Sequence, residues 1–286
     1  MTGRRSSWPA APALLLIALF FVGPLALLVR VSLYEGTGQS GYGIGRSLYT
    51  PGTWTLSSYG RLLADETFRE IAGFTVGLGL AVTAICLAVG YPLALFIHGL
   101  RGWRRGLALA AVVLPKLANV LVVVYGLVIL LGASGPVRRV MASLIGEAAP
   151  ELHHNLAAVL IGKSYLILPY TVLVLVAALD RIDPMHGMAA RGLGASRWQV
   201  WRRVTWPLSR PGVSLAAVLS LIWALGAFVT PYLMGSPDEL TLAVQVQRQA
   251  FEHQNWPAAA ATAVMMIGLI GAAAALWWAV ARRGGR

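Results

Sequence analysis

The chain has 286 residues, of which 57% are hydrophobic and only 12% charged, with a formal net charge of +12. Soluble domains carry about 25% charged residues, so this composition excludes an ordinary soluble fold. The hydrophobicity is gathered in long blocks, and the sequence reads as an all-α, polytopic membrane protein. The single cysteine, Cys86, lies inside one block; it cannot form an intrachain disulfide and is expected to be a packed membrane residue.

Six blocks reach the length of about 20 helical residues that a hydrocarbon core requires. The first runs from about Pro9 to Val29, behind Arg4 and Arg5. It is too long for a signal-peptide core, and no small-x-small cleavage site follows before Arg30, so it is expected to span. In the next loop, Trp54-Thr55-Leu56-Ser57-Ser58-Tyr59 reads as the lead-in to a helix, with Ser57 or Ser58 as cap. The second block, Ile71 to Leu100, holds no charge. The third, about Gly106 to Leu131, contains Lys116 directly after Pro115, where a helix break is expected. A short helix is predicted around Val137 to Ile145. The fourth block, about Leu156 to Ala178, contains Lys163. The fifth covers about Gly212 to Met234, and the sixth about Pro257 to Ala281; between them a helical piece is predicted over Leu240 to Phe251. No block alternates with period two, and only helices or closed barrels span a bilayer, so strands are not expected. With no internal repeat and no separate soluble segment, residues 1–286 read as one transmembrane domain.

Basic residues set the expected orientation. With the N-terminus inside, fourteen of them lie on inner segments (Arg4, Arg5, Arg101, Arg104, Arg105, Arg181, Arg191, Arg197, Arg202, Arg203, Arg210, Arg282, Arg283 and Arg286) and six on outer loops (Arg46, Arg61, Arg69, Arg138, Arg139 and Arg248). Nine acidic residues fall outside, and only Asp180 and Asp183 inside. The basic balance is therefore a topology signal rather than a nucleic-acid footprint. Both termini are expected in the cytoplasm, with the chain in contact with lipid and not with nucleic acid.

The longest polar interruption between spans is 180–211. Asp183-Pro184 is a helix start. Ala189, Ala190, Gly194 and Ala195 leave a face with little side-chain bulk, and Gly192 and Gly194 favour a bend. A second helical pattern begins at Arg197, with Trp198, Trp201, Val204 and Thr205 on one face; Pro207 and Pro211 are expected to stop it. That second half alone equally suits a basic, Trp-bearing helix lying on lipid headgroups. No Gly-rich nucleotide loop and no catalytic Ser or Cys constellation is present, and the His153-His154 pair lacks further ligands for a metal, so no enzyme activity is expected. Energy must come from a gradient or a separate ATPase.

Met188-Ala189-Ala190, three residues, Gly194, nine residues, then Val204-Thr205-Trp206-Pro207 resembles the EAA loop of bacterial ABC importer permeases, which reads Glu-Ala-Ala, Gly and Ile-x-Leu-Pro at the same spacings. Met188 replaces the usual Glu, and Trp206 the usual Leu. Gly90-Tyr91-Pro92-Leu93-Ala94, Leu114-Pro115, Leu131–Pro136, Phe228–Gly235 and Asn255–Ala260 are similar to pieces of spermidine/putrescine-type permeases. The resemblance covers about Pro9 to Ala281. It implies an inner-membrane permease of MetI-like fold with six transmembrane helices and a cytoplasmic coupling-helix loop at 180–211. It implies as partners a second permease, an ATPase dimer that binds the ATP and Mg, and a periplasmic solute-binding protein; this chain itself would hold no cofactor. Docking to the ATPase would fall to Met188, Ala189, Ala190, Leu193, Gly194, Ala195, Val204 and Pro207. The rival reading, half of a gradient-driven secondary transporter, requires acidic residues in the spans, and there are none.

A charge at the bilayer centre costs at least ~3 kcal/mol, so it faces a cavity or a partner. Lys116, Asn119, Lys163, Tyr165, Trp223 and Phe228 are therefore the candidates for the translocation path. For Lys163, snorkelling to the outer headgroups is an equal alternative. Lys116 has three: an acid on the partner permease, a neutral buried amine, or an anionic group of the solute. Two lysines with no acid favour a solute bearing a carboxylate or phosphonate over a simple polyamine.

Overall fold

The computed structural model describes residues 15–36, 49–50, 54–146, 152 and 154–283. Pro9 to Leu14, Arg4, Arg5, Arg46, Glu147, Glu151, His153 and Arg286, on which expectations above rest, lie outside them. Six segments are long and apolar enough to cross a membrane: Leu15–Ser32, Glu66–Gly99, Val120–Leu144, Leu156–Leu179, Arg197–Gly226 and Trp256–Ala279. Among the described residues the strands are two short pieces, β1 (Glu35–Gly36) and β2 (Tyr49–Thr50), paired antiparallel with Glu35 opposite Thr50.

The chain divides into two compact units. The first comprises residues 1–69 and 245–268. Here α1 (Leu15–Ser32) is followed by α2 (Ser57–Ala64). The Ser32 and Tyr59 hydroxyls lie 2.6 Å apart, joining the two helices. Ser57 and Ser58 are already helical; the capping oxygen is Thr55 Oγ1, which accepts from the Ser57 N–H at 3.1 Å. The capping oxygen thus stands two to three residues earlier than expected, because Ser57 itself is drawn into the first turn. Near the other end of the unit, Asn255 caps α12 (Trp256–Arg283), accepting from the Ala258 N–H. Thr262 on that helix donates to Gln249 at 2.7 Å.

The second unit comprises residues 70–244 and 269–286. It contains most of α3 (Glu66–Gly99), then α4 (Trp103–Val113), a 3₁₀ turn (Leu114–Leu117), α5 (Val120–Leu131), α6 (Pro136–Ile145), α7 (Leu156–Leu179), α8 (Pro184–Gly192), α9 (Arg197–Gly226) and α10 (Val229–Met234). A further helix, α11 (Leu242–Gln247), begins in this unit and continues into a π-helical turn at Arg248–Glu252, which belongs to the first. Two apolar clusters hold this unit together. One joins Leu78, Val82, Cys86, Val124, Ala158, Val159 and Met234; the other joins Tyr91, Ala94, Ile97, Val172, Leu175, Leu179 and Ala216. Cys86 is fully buried, with its Sγ 3.7 Å from the Ser164 carbonyl oxygen.

The third crossing breaks where Pro115 stands. Twelve residues of α5 rise about 18 Å, too little for a core of about 30 Å. Val120–Leu144 reaches the length by running on through α6, and α4 adds a second apolar stretch before the break. Ala108, Leu109 and Val112 pack beside Leu175 and Leu179, while Val124 and Leu131 pack beside Ala158 and Val159. Together α4 and α5 line the whole of α7. Past the break, Asn119 starts α5 by accepting from the Leu121 N–H at 2.8 Å.

The fifth crossing departs from expectation at both ends. Pro207 and Pro211 do not stop the helix; it runs on from Arg197 to Gly226. A π-helical turn at Trp201–Thr205, closed by the Trp206 N–H on the Trp201 carbonyl, widens the helix just before Pro207, which has no N–H to give. Pro211 is exposed on the continuing helix. At the far end the helix stops at Gly226, with Ala227 extended, instead of reaching Met234; Val229–Met234 forms the separate α10. The partner of α9 is α7, and contact is closest at Gly212, where an added Cβ would lie 2.1 Å from Ala178 Cβ.

Candidate functional site

The 180–211 loop is built from local caps. Asp183 accepts from the Met185 N–H at 2.8 Å and Pro184 occupies the first turn of α8. Gly194 ends that helix with φ +85, the Gly194 N–H on Arg191 O and the Ala195 N–H on Ala190 O. This is a Schellman motif, which demands a left-handed residue that glycine alone adopts cheaply. The bend expected at Gly194 is present, and within this chain a Cβ there would meet nothing within 4 Å. Its requirement is conformational. Ser196 and Gln199 then form a reciprocal capping box that opens α9.

These caps leave an apolar surface on a polar, basic loop. Leu193 is 91% exposed, Trp198 63%, Met185 61% and Met188 57%. Ala189 and Pro207 are exposed, while Ala190, Ala195 and Val204 are half-buried. The loop is tied back to the body through stacked rings: Trp198 on Trp201 at 4.5 Å, Trp201 near Trp206, and Trp206 edge-on to Tyr91 at 5.2 Å. The Tyr91 and Ser209 hydroxyls lie 2.8 Å apart.

Asp180, at the end of α7, gathers the ends of three helices. His98 Nδ1 of α3 lies 2.8 Å from its Oδ1, and Arg105 of α4 donates to Oδ2. Partial burial pushes this carboxyl upward, but the hydrogen bonds and positive charges of His98 and Arg105 outweigh it and hold Asp180 below its ordinary value.

A cavity of about 430 Å³ lies between the breaks at residues 114–119 and 227–228. Lys116, Lys163, Trp223, Phe228 and Thr230 are among its lining residues. Lys163 is fully buried and donates from Nζ to Ala224 O at 3.0 Å, so it does not snorkel. Ala224 is in the last turn of α9, where helix carbonyls lack their own donors. Lys116 Nζ donates to Leu166 O at 3.1 Å and lies 4.7 Å from the Tyr170 ring centre and 5.9 Å from that of Trp223. Those two rings stack at 5.2 Å. Both distances are within cation–π range.

Four of the six path candidates, Lys116, Lys163, Trp223 and Phe228, thus come together. Asn119 is exposed and serves as the cap of α5. Tyr165 lies instead in a depression of about 250 Å³ with Ile85, Cys86 and Val89. Tyr170 and Thr230 were not foreseen. Tyr170 stands one turn beyond Leu166 on the Lys163 face of α7, a periodicity that could have flagged it. Thr230 carried no such signal.

Residues 90–283 match the family described as binding-protein-dependent transport system inner membrane components, and the chain belongs to it. It is a multi-pass inner-membrane permease subunit of an ABC importer, a transport subunit and not an enzyme; a gradient-driven half-transporter is thereby set aside. Among its relatives is the spermidine/putrescine transport system permease PotB. The proteins of Escherichia coli K12 and Salmonella typhimurium SL1344 are each 31% identical to it over 230 residues, covering 80% of this chain and 83% and 80% of theirs. In fold it is similar to a chain of a bacterial ABC transporter involved in import of the acidic polysaccharide alginate, with TM-score 0.74, 18% identity and coverage of 97% and 96% of the two chains.

Proposed function

We propose that residues 1–286 act as one permease domain, with both termini and the 180–211 loop in the cytoplasm. Paired with a second permease, the chain forms the path for a small organic solute delivered by a periplasmic binding protein. An ATPase dimer docks on the loop through Met188, Ala189, Ala190, Leu193, Gly194, Ala195, Val204 and Pro207. The resemblance to PotB supports a solute in the polyamine-type range: a polyamine, an opine, or another amino, carboxylate or phosphonate compound. The observation that carries the docking is the apolar surface on a basic loop, centred on Leu193 and raised by two backbone caps.

Gly194 is a poor place to test docking, because any bulky substitute would also strain φ +85. Ala189 is exposed and helical, so Ala189→Trp should leave the chain folded and inserted. We expect it, and Leu193→Asp, to reduce co-purification of the ATPase by about thirtyfold, the effect of losing one interface hot spot. Wild-type co-purification in both variants would refute the docking surface.

A further inference from the structure

The cavity contains two ammonium groups of unequal freedom. Lys163 is committed: its side chain is sealed, and its Nζ satisfies the Ala224 carbonyl at the end of α9. A cation there also suits the negative end of the helix. Lys116 is half-buried, with one hydrogen bond to Leu166 O, while an ammonium has three donors. Two acidic residues, Glu66 and Glu70, open α3, but none is among the residues lining the cavity, so neither charge is balanced there. The Tyr170–Trp223 stack that could cage an ammonium of the solute is already occupied by Lys116.

A second polar group borders the cavity. Thr230 is 1% exposed and lines the cavity, yet its Oγ1 has no hydrogen-bond partner among the described residues. Its oxygen is sealed, so Lys116 is the polar group left with free donors at the cavity. The same two helices border a further cavity, of about 620 Å³, toward the 180–211 loop. Its charged lining residues are Arg181 and Asp183, beside His186. The Asp183 carboxylate is engaged in capping α8. Its other walls are apolar, including Val174 and Leu215. Along α7, Tyr170 lies between the two cavities, stacked on Trp223 of the first.

We propose that Lys116 is a specificity-determining residue: the mid-span cavity receives an anionic group of the solute, a carboxylate, phosphonate or sulfonate, at the Lys116 ammonium. A polyamine meets like charge there and finds the aromatic cage taken. This rests on the permease reading above and narrows it to anionic and zwitterionic solutes.

The sign of the cavity can be measured without knowing the solute. Cys86, the only native cysteine, is buried and is replaced in a Cys86→Ala background; Val120→Cys, a cavity-lining position 39% exposed, then supplies the reporter thiol. The full complex is treated with an anionic sulfonatoethyl or a cationic trimethylammonioethyl methanethiosulfonate. The ratio of the two rates is compared with that of free 2-mercaptoethanol. We expect the ratio to favour the anionic reagent by about tenfold over the free thiol, within the range that a one-sign cleft produces. It should persist in Lys116→Arg, fall to the free-thiol value in Lys116→Met and invert in Lys116→Glu. A free-thiol ratio in the parent, no change in Lys116→Met, or no reaction with either reagent would each overturn the proposal. Loss of the second permease from the Lys116→Met complex alone would also overturn it, by assigning the charge to subunit pairing. ATPase co-purification is read on the same samples. A parent that binds no ATPase fails the permease reading, whatever the rate ratio shows.

Discussion

Pro169 and Pro115 sit in neighbouring crossings and have opposite effects. α7 carries Pro169 in its interior and continues from Leu156 to Leu179; the α4–α5 crossing breaks just after Val113. Each proline removes one N–H and crowds the preceding turn. The sequence that follows differs. After Pro115 comes Asn119, a side chain able to accept the Leu121 N–H and start a new helix. After Pro169 comes Thr171, whose hydroxyl bonds back to Ile167 O at 3.3 Å and meets Ser220 Oγ at 2.7 Å, holding the helix onto α9. In an apolar segment, then, proline becomes a break where a cap is ready downstream, and is absorbed where packing on both sides holds the axis.

The largest way to disturb that contrast is to part α7 from α9. Gly212→Val places a side chain where even a Cβ would lie 2.1 Å from Ala178 Cβ. Overpacking costs about 1–3 kcal/mol or more, and the detergent-solubilised variant should lose several degrees of Tm. A variant as stable as its parent would show that α7 is held straight by its own sequence. A middle-sized effect is expected at the break. Asn119→Ala removes the cap of α5 at a cost of about 1 kcal/mol, with faster amide hydrogen exchange at residues 120–123 and none of it at 170–175. Equal exchange in both regions would disprove the role of the cap.

The smallest effect concerns the clamp that joins the two crossings. Asp180 is held below its ordinary value by His98 and Arg105, so its contribution is present above the unfolded carboxyl value of about 3.9 and is lost as pH falls through the lower folded value. The site is more than a third exposed, and screening limits the contribution to a few tenths of a kcal/mol. Asp180→Asn should therefore lower Tm slightly at pH 7 and converge with the parent only in strong acid. A constant difference at all pH values would assign the loss to something other than charge.

The apolar blocks were legible because length and the absence of charge are local properties, as were Asp183-Pro184 and the spacing from Met188 to Pro207. What could not be read was set by other parts of the chain. The end of α9 at Gly226 has no polar cap in its own sequence; the Ala224 carbonyl in its last turn accepts from Lys163, 61 residues away. Pro207 reads as a stop until the preceding turn is known to be π-helical. At Gly194 the bend was legible, but the Schellman pairing that its φ of +85 completes was not. Lys163 and Lys116 look alike as charges among apolar residues, and only the fold separates the one that seals a helix end from the one that faces a cavity.

The unbroken α9 also has a mechanical meaning. Its 30 residues form a rod about 45 Å long. One end bears the capping box beside Leu193; the other bears Trp223 and the Ala224 carbonyl. As a lever pivoting near its middle, such a rod moves each end through about 2 Å for a rotation of only about 5°. That displacement is two-thirds of the 3.0 Å that separates Lys163 Nζ from Ala224 O. In a rigid rod of this length a small displacement of the loop end would reappear, reversed in direction, at the wall of the cavity.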